Sequence, residues 1–333
     1  MIQIIMMIHP IFLLPKTHKE TKMRIAIIGP GAMGGLFAYL LSKNKEVEIF
    51  LLDIHPERVE KMRTEGLFIE GVSGDHQLWP KITLEASDIG QADIVLLCTK
   101  SSSTYQAALM AKPLLGPDTP VLTLQNGWGN IEAVEQALGA DRPLGGTTSM
   151  GATALAPNRI RHAGWGDTVI GEPGGKKTAR ADKVLDLFRS CDLDISFTEN
   201  LTGLIWSKLI INVGINALTA LTHLHNGKLI NYDGSRAIME KAVAEAVQVA
   251  SALKVQLLYD DALTKVTGVC NATAGNISSM LQDILKEKKT EIGQINGAIV
   301  REGEKCGIPT PVNEVLLHLV KTVEESYSER IKL

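Results

Sequence analysis

Apolar residues fall first into short blocks parted by polar, glycine-bearing turns. Arg24-Ile25-Ala26-Ile27-Ile28 is a β-branched run of the kind a buried strand carries. Val47 to Leu52, Ile94 to Cys98, Pro120 to Leu124 and Ile195 to Thr198 repeat the pattern. Between these blocks the apolar period lengthens to that of a helix. Met33 to Ser42 sets Leu36, Phe37, Leu40 and Leu41 on one side. Pro56 to Glu65, Thr104 to Lys112, Asn130 to Leu138 and Lys177 to Ser190 follow, with Pro56 suited to a first helical turn. Leu67 to Trp79 reads as a small β excursion, and Arg142 to Gly171 as β-rich and glycine-rich. The alternation predicts a parallel sheet covered on both faces. After Glu199 helical periodicity runs nearly to the end, with little that reads as strand.

The link between the first strand and the first helix is Gly29-Pro30-Gly31-Ala32-Met33-Gly34, spaced G-x-G-x-x-G. Gly29 allows the tight turn off the strand, and Gly31 lets a pyrophosphate approach the backbone. Gly34 lets the helix pack close on the sheet, while the helix N-terminus offers free N–H groups to phosphates. Alone the spacing is a weak signal, since glycine turns are common. Strand before, helix after and a second strand ending in Asp53 make it a dinucleotide-binding signal. The predicted architecture is an α/β Rossmann-type dinucleotide-binding domain over residues 23–198, then an all-α C-terminal domain over 199–333. No low-complexity linker separates them, so firm packing of one on the other is expected.

Residues 1–22 stand apart. Met1 to Leu14 is apolar but holds His9 and Pro10, and is short of the ~20 residues a spanning helix needs. No basic residue precedes it, so a secretory signal is not expected. Met23 opens the first strand, and the stretch before it is expected to be loose and dispensable. Across the 333 residues, 45% are hydrophobic and 21% charged, enough for sizeable cores. A net charge of -3 with no long basic run argues against nucleic acid or an anionic membrane as partner. Cys98, Cys191, Cys270 and Cys306 form no C-x-x-C pair, which suits reduced thiols in the cytoplasm and no zinc site.

Two later stretches carry chemistry. Gly203 to Ala220 is largely apolar, but Lys208, Asn212 and Asn216 interrupt it at intervals of four and share one helix face. A solvent-facing stripe with a snorkelling lysine is the simpler alternative. Solvated stripes, however, carry Glu, Lys and Gln more than asparagine, a poor helix former, so a cleft-lining stripe is favoured. Thr273 to Gly297 holds Ser278, Ser279, Asp283 and Glu291, and its charge run Lys286 to Lys289 reads as a solvated helix end. Thr290 is placed to cap a following helix, with Glu291 in its first turn, where an acid simply favours the helix dipole. The histidines, His162, His223 and His225 among them, show no ligand spacing and read as structural.

With these blocks in view, the chain resembles the ketopantoate reductases (2-dehydropantoate 2-reductases). The resemblance spans Met23 to about Arg330. It rests on the glycine loop, Asp93 to Lys100, Gln125 to Gly129, Trp206 to Asn212 through Ala220, Asn226-Gly227, and Asn276 to Asp283 through Ile292. It implies a Rossmann domain plus a helical domain with the active site between them. It also implies Lys208 as general acid and Glu291 as its partner acid. Ser279 and Asn126 would contact substrate, and Asn212, Asn216 and Asn226 would line its site. Lys100 would lie near cofactor and substrate, with Asn126 also near the cofactor. The implied partner is a small 2-oxo acid, with a homodimer as the possible assembly.

The cofactor implied is NAD(P)H, with NADPH the family norm and a basic residue usual at the end of the second strand. Here that position, 19 residues after Gly34, is Asp53. A carboxylate there accepts hydrogen bonds from the ribose hydroxyls of NADH and repels a 2′-phosphate, so NADH is favoured. Two alternatives stay open: Arg58 folding over the phosphate while Asp53 turns away, or Asp53 merely capping the helix near Pro56.

Overall fold

The computed structural model describes residues 22–330. The expectation of a loose, dispensable extension falls on residues that, Lys22 apart, lie outside this range. The strands are β1 (Met23–Ile28), β2 (Val47–Leu52), β3 (Leu67–Gly71), β4 (His76–Leu78), β5 (Lys81–Thr83), β6 (Ile94–Leu97), β7 (Val121–Thr123), β8 (Pro143–Thr148), β9 (Gly151–Ala156), β10 (Arg159–Gly164), β11 (Thr168–Gly171) and β12 (Ile195–Phe197). The helices are α1 (Ala32–Leu41), α2 (Pro56–Glu65), α3 (Thr104–Ala111), α4 (Asn130–Leu138), α5 (Ala179–Arg189), α6 (Leu201–Thr222), α7 (Asp233–Ala252), α8 (Ala262–Ala272), α9 (Ser279–Leu285), α10 (Asn296–Cys306) and α11 (Pro311–Glu325).

Eight strands form one sheet in the order β12-β11-β8-β7-β6-β1-β2-β5. Its central strands are mostly apolar because both faces are covered, as the sequence pattern predicts; β6 is wholly so, while β1 carries Arg24 at its start. The sheet is not wholly parallel: β11 runs antiparallel to β8. Between those two strands the chain leaves to build a second sheet, ordered β4-β3-β10-β9. The β excursion after α2 belongs there, because β3 pairs in parallel with β10, far along the chain. α1 lies between the two sheets. A Cβ on Gly34 would sit 2.4 Å from Gly29 O, and one on Gly35 would sit 2.1 Å from Ile160 Cδ1. Small residues are therefore required on both faces of this helix.

β1 hydrogen-bonds to β2 on one side and β6 on the other. The chain thus reverses its strand order at β1, and open α/β sheets bind ligands in the crevice at that reversal. The glycine loop after β1 and Thr99-Lys100 after β6 both open onto it.

From α6 onward the chain is helical. α6 is long and apolar enough to cross a membrane, yet its most apolar stretch is 72% buried within the protein. It forms the core around which α7, α8, α9 and α11 pack. Gly214 allows α8 to approach closely, since a Cβ there would meet Val266 Cγ1 at 2.7 Å.

His162, 0% exposed on β10, ties the second sheet together. Ser73 Oγ lies 2.6 Å from its Nδ1, and Nε2 lies 3.1 Å from Gly164 O. That arrangement suits a neutral ring with Nε2 protonated. Burial holds its pKa below the usual histidine value, against the weaker pull of the Gly164 carbonyl. The unfolded chain binds the extra proton first, so this residue's contribution is complete above about pH 6.5 and is lost as pH falls toward the lowered folded value. Thermal melts from pH 7 to pH 5 are expected to show a falling Tm, with a shallower fall in His162→Gln. Parallel slopes in the two proteins would exclude His162 as the titrating group.

Candidate active site

The cofactor side begins at the glycine loop. Gly29 has φ of +86°, and a Cβ there would strike Thr99 Cγ2 at 2.7 Å. Pro30 completes the turn, and Gly31 is the N-cap of α1 with no side-chain cap. A Cβ on Gly31 would meet nothing within 4 Å. Ala32 and Met33 begin the helix, and the first-turn N–H groups carry no capping side chain. This is the cradle a pyrophosphate requires, so these residues fit a dinucleotide.

At the end of β2, Asp53 is only 4% exposed. Its Oδ1 accepts hydrogen bonds from the N–H groups of Ile54 (2.7 Å) and His55 (3.1 Å). Its Oδ2 forms an ion pair with Arg58. The helix cap itself is His55, so Asp53 holds the turn before α2 and does not act as its N-cap. Arg58 points to the carboxylate, an arrangement that spacing alone left undecided.

The other side of the cleft is α6. Lys208, Asn212 and Asn216 share one face of it, and Lys208 Nζ donates to Thr148 O, at the end of β8, at 2.7 Å. Asn216 is 5% exposed, and neither asparagine amide is hydrogen-bonded among the described residues. Burial brings the Lys208 pKa down to about 8, opposed by the Glu291 and Asp167 carboxylates. The Lys208 end of the stripe therefore faces the α/β domain and not bulk solvent.

Glu291 corrects one expectation. No helix starts at Thr290; α10 begins at Asn296, and residues 290–295 form a turn. Thr290 Oγ1 accepts from Ile292 N (3.1 Å), and Gln294 N and Ile295 N both donate to Glu291 O (3.0 Å each). Gly293 lies within this turn, and the glutamate side chain is drawn across the cleft. Its Oε1 accepts from Ser101 N (3.1 Å) and Ser101 Oγ (2.9 Å), and Asn126 Nδ2 lies 3.4 Å from Oε2. Glu291 is 7% exposed and makes no ion pair with Lys208, so it acts on that lysine through its field alone.

The loop carrying Asn126 docks on the same turn. Trp128 N donates to Gln294 O at 2.9 Å, and a Cβ on Gly127 (φ +89°) would lie 2.5 Å from that oxygen. Lys100 Nζ pairs with Asp283 Oδ2 of α9 at 2.5 Å. Burial pulls the Lys100 pKa down, but Glu291 and Asp283 outweigh it and leave it above the usual lysine value. Ser279 is the exposed first residue of α9, while the cap is Ser278, whose Oγ accepts from Leu281 N.

The structure thus brings Lys100, Asn126, Lys208 and Glu291 to one interdomain cleft, while Asn212 and Asn216 follow Lys208 along α6. Asn226 is 8% exposed, and its Nδ2 donates to Thr273 Oγ1 at 3.0 Å while its buried Oδ1 has no partner among the described residues. Its amide braces the loop before α7 against α8. Ser101, the docking partner of Glu291, has no distinguishing mark in a run of three serines. Asp283 stood out as an acid but without a partner.

A glycine-loop cradle at the strand reversal, facing a helical domain that presents a lysine with a depressed pKa, defines a dinucleotide-dependent oxidoreductase. Residues 25–175 match the family described as "Ketopantoate reductase PanE/ApbA", and residues 200–324 match its C-terminal part. The chain belongs to the ketopantoate reductase family. A 2-dehydropantoate 2-reductase of Halobacterium salinarum is 34% identical, covering 91% of this chain and 99% of that protein. The crystal structure of a ketopantoate reductase from Ralstonia eutropha JMP134 superposes with a TM-score of 0.85 at 32% identity, covering 92% of this chain and 100% of that one. A D-mandelate dehydrogenase bound to NADH and anilino(oxo)acetate also gives 0.85, at 28% identity and the same coverage.

Proposed function

We propose that this chain reduces 2-dehydropantoate to (R)-pantoate in the cytoplasm, on the path to pantothenate and coenzyme A. The observation that carries the proposal is Lys208: a cation on an apolar cleft helix, its pKa brought near the working pH by burial. Gly29, Gly31 and the first turn of α1 would hold a nicotinamide cofactor, which would supply hydride for the 2-oxo carbon. Lys208 neutralises the negative charge that develops on the oxygen and donates the proton to it. Glu291 keeps Lys208 from losing its proton too readily and fixes the Asn126 loop. Asn126, Asn212, Asn216 and Ser279 bind carboxylate and hydroxyl without adding like charge. Lys100 supports the cofactor and substrate from the β6 end, and Asn226 serves by position, through its brace to Thr273. The likeness to D-mandelate dehydrogenase supports a second reading, reduction of a different 2-oxo acid by the same residues. A turnover screen across small 2-oxo acids separates the two, through the ranking of kcat/KM.

NADH is the proposed cofactor, because Asp53 stands where the adenosine ribose lies and would face a 2′-phosphate with like charge. Measured kcat/KM is expected to favour NADH over NADPH. A tenfold preference for NADPH, about 1.4 kcal/mol, would contradict the role given to Asp53.

A further inference from the structure

The pairing of Asp53 with Arg58 reaches beyond NADH preference. Arg58 lies in the first turn of α2, and its guanidinium binds the carboxylate oxygen left free by the Ile54 and His55 N–H groups. Arg58 is 24% exposed at the side chain, against 3% for Asp53. The cation therefore borders solvent, while the acid that engages it is inside. The N-terminus of α2 has no side-chain cap, so its dipole adds to the positive potential at this corner.

We propose that Arg58 is a resident 2′-phosphate ligand held out of use by Asp53, so that neutralising Asp53 alone converts the adenosine end to accept a 2′-phosphate. The proposal rests on the placement of the adenosine ribose at Asp53. An arginine fork suits a phosphate in the way it suits a carboxylate, by parallel N–H donors. A 2′-phosphate on the ribose would lie beside the Asp53 side chain and compete with its carboxylate for the same guanidinium. With Asp53 ionised, the phosphate meets like charge and an arginine already committed. With the charge removed, repulsion ends and the arginine is released in the same step.

Asp53→Asn is the informative variant, because the amide oxygen still accepts from Ile54 N and His55 N and the turn is kept. Asp53→Ser, which also retains an acceptor, stands in if the first variant does not fold. The measurement is the calorimetric Kd of adenosine 2′,5′-bisphosphate and of adenosine 5′-monophosphate. It is made on the parent, on Asp53→Asn and on Asp53→Asn combined with Arg58→Gln. The expected result is that Asp53→Asn binds the bisphosphate at least tenfold more tightly than the parent does, and that the combined variant loses this gain. A gain that survives Arg58→Gln, or a folded Asp53→Asn protein with no gain, overturns the proposal. A parent that already prefers the bisphosphate contradicts the NADH assignment itself, which separates that failure from a failure of Arg58.

Discussion

Replacing Lys208 by alanine is expected to lower turnover by ~10²-fold or more while leaving dinucleotide binding nearly intact. The size follows from what the side chain does in place. Its ammonium is buried and donates to the Thr148 carbonyl, and two uncommitted amides follow it along the same face of α6. No other side chain on that face can both carry positive charge and give up a proton. The pH dependence carries the same signature. The acid must be protonated to act, and burial sets its pKa at about 8, against the pull of Glu291 and Asp167. The rate is therefore expected to hold below pH 8 and to fall above it. Steady-state kinetics of Lys208→Ala, with NADH binding followed by fluorescence, tests both halves. Turnover within about twofold of the parent would remove Lys208 from the mechanism.

Glu291 carries the second large effect, and two substitutions separate its two roles. Glu291→Ala leaves the buried Ser101 N–H without its acceptor and removes the partner of the Asn126 amide, while Ser101 Oγ keeps its bond to Asn126 O. An unpaired buried polar group costs about 1–3 kcal/mol, so a tenfold to hundredfold loss in kcat/KM is expected. Glu291→Gln keeps an acceptor for Ser101 but removes the charge. Lys208 then loses the carboxylate that opposes its desolvation, and its pKa falls further. The alkaline limb of the rate profile should move to lower pH in Glu291→Gln. An unmoved limb would mean that Glu291 serves the fold alone.

Much of this architecture was legible before any coordinates, and the limits have physical causes. The glycine loop and the Lys208 stripe were readable because each signal sits within one turn or one helix. Period and residue type then suffice. The end of the strand series near Phe197 was readable for the same reason. What failed was non-local. The parallel pairing of β3 with β10 joins Phe68 to Arg159, and nothing within either segment names the other. The antiparallel entry of β11 follows from that excursion. Thr290-Glu291 carries a helix-start signature, yet the turn holding Gly293 keeps the chain out of a helix while Glu291 reaches across to Ser101. Asn226 belongs to a recognisable block, but only the structure finds its Nδ2 donating to Thr273. The Asp53–Arg58 ion pair lay within reach of spacing, though the direction of the guanidinium did not.

The central claim is that the Lys208 cleft reduces 2-dehydropantoate. The most direct test follows nicotinamide absorbance as the purified full chain is mixed with NADH and 2-dehydropantoate, with pantoate quantified at the end. The account predicts loss of absorbance matched mole for mole by (R)-pantoate, and its collapse in Lys208→Ala. Absence of turnover with either NADH or NADPH, in a protein that reduces another 2-oxo acid readily, would contradict it.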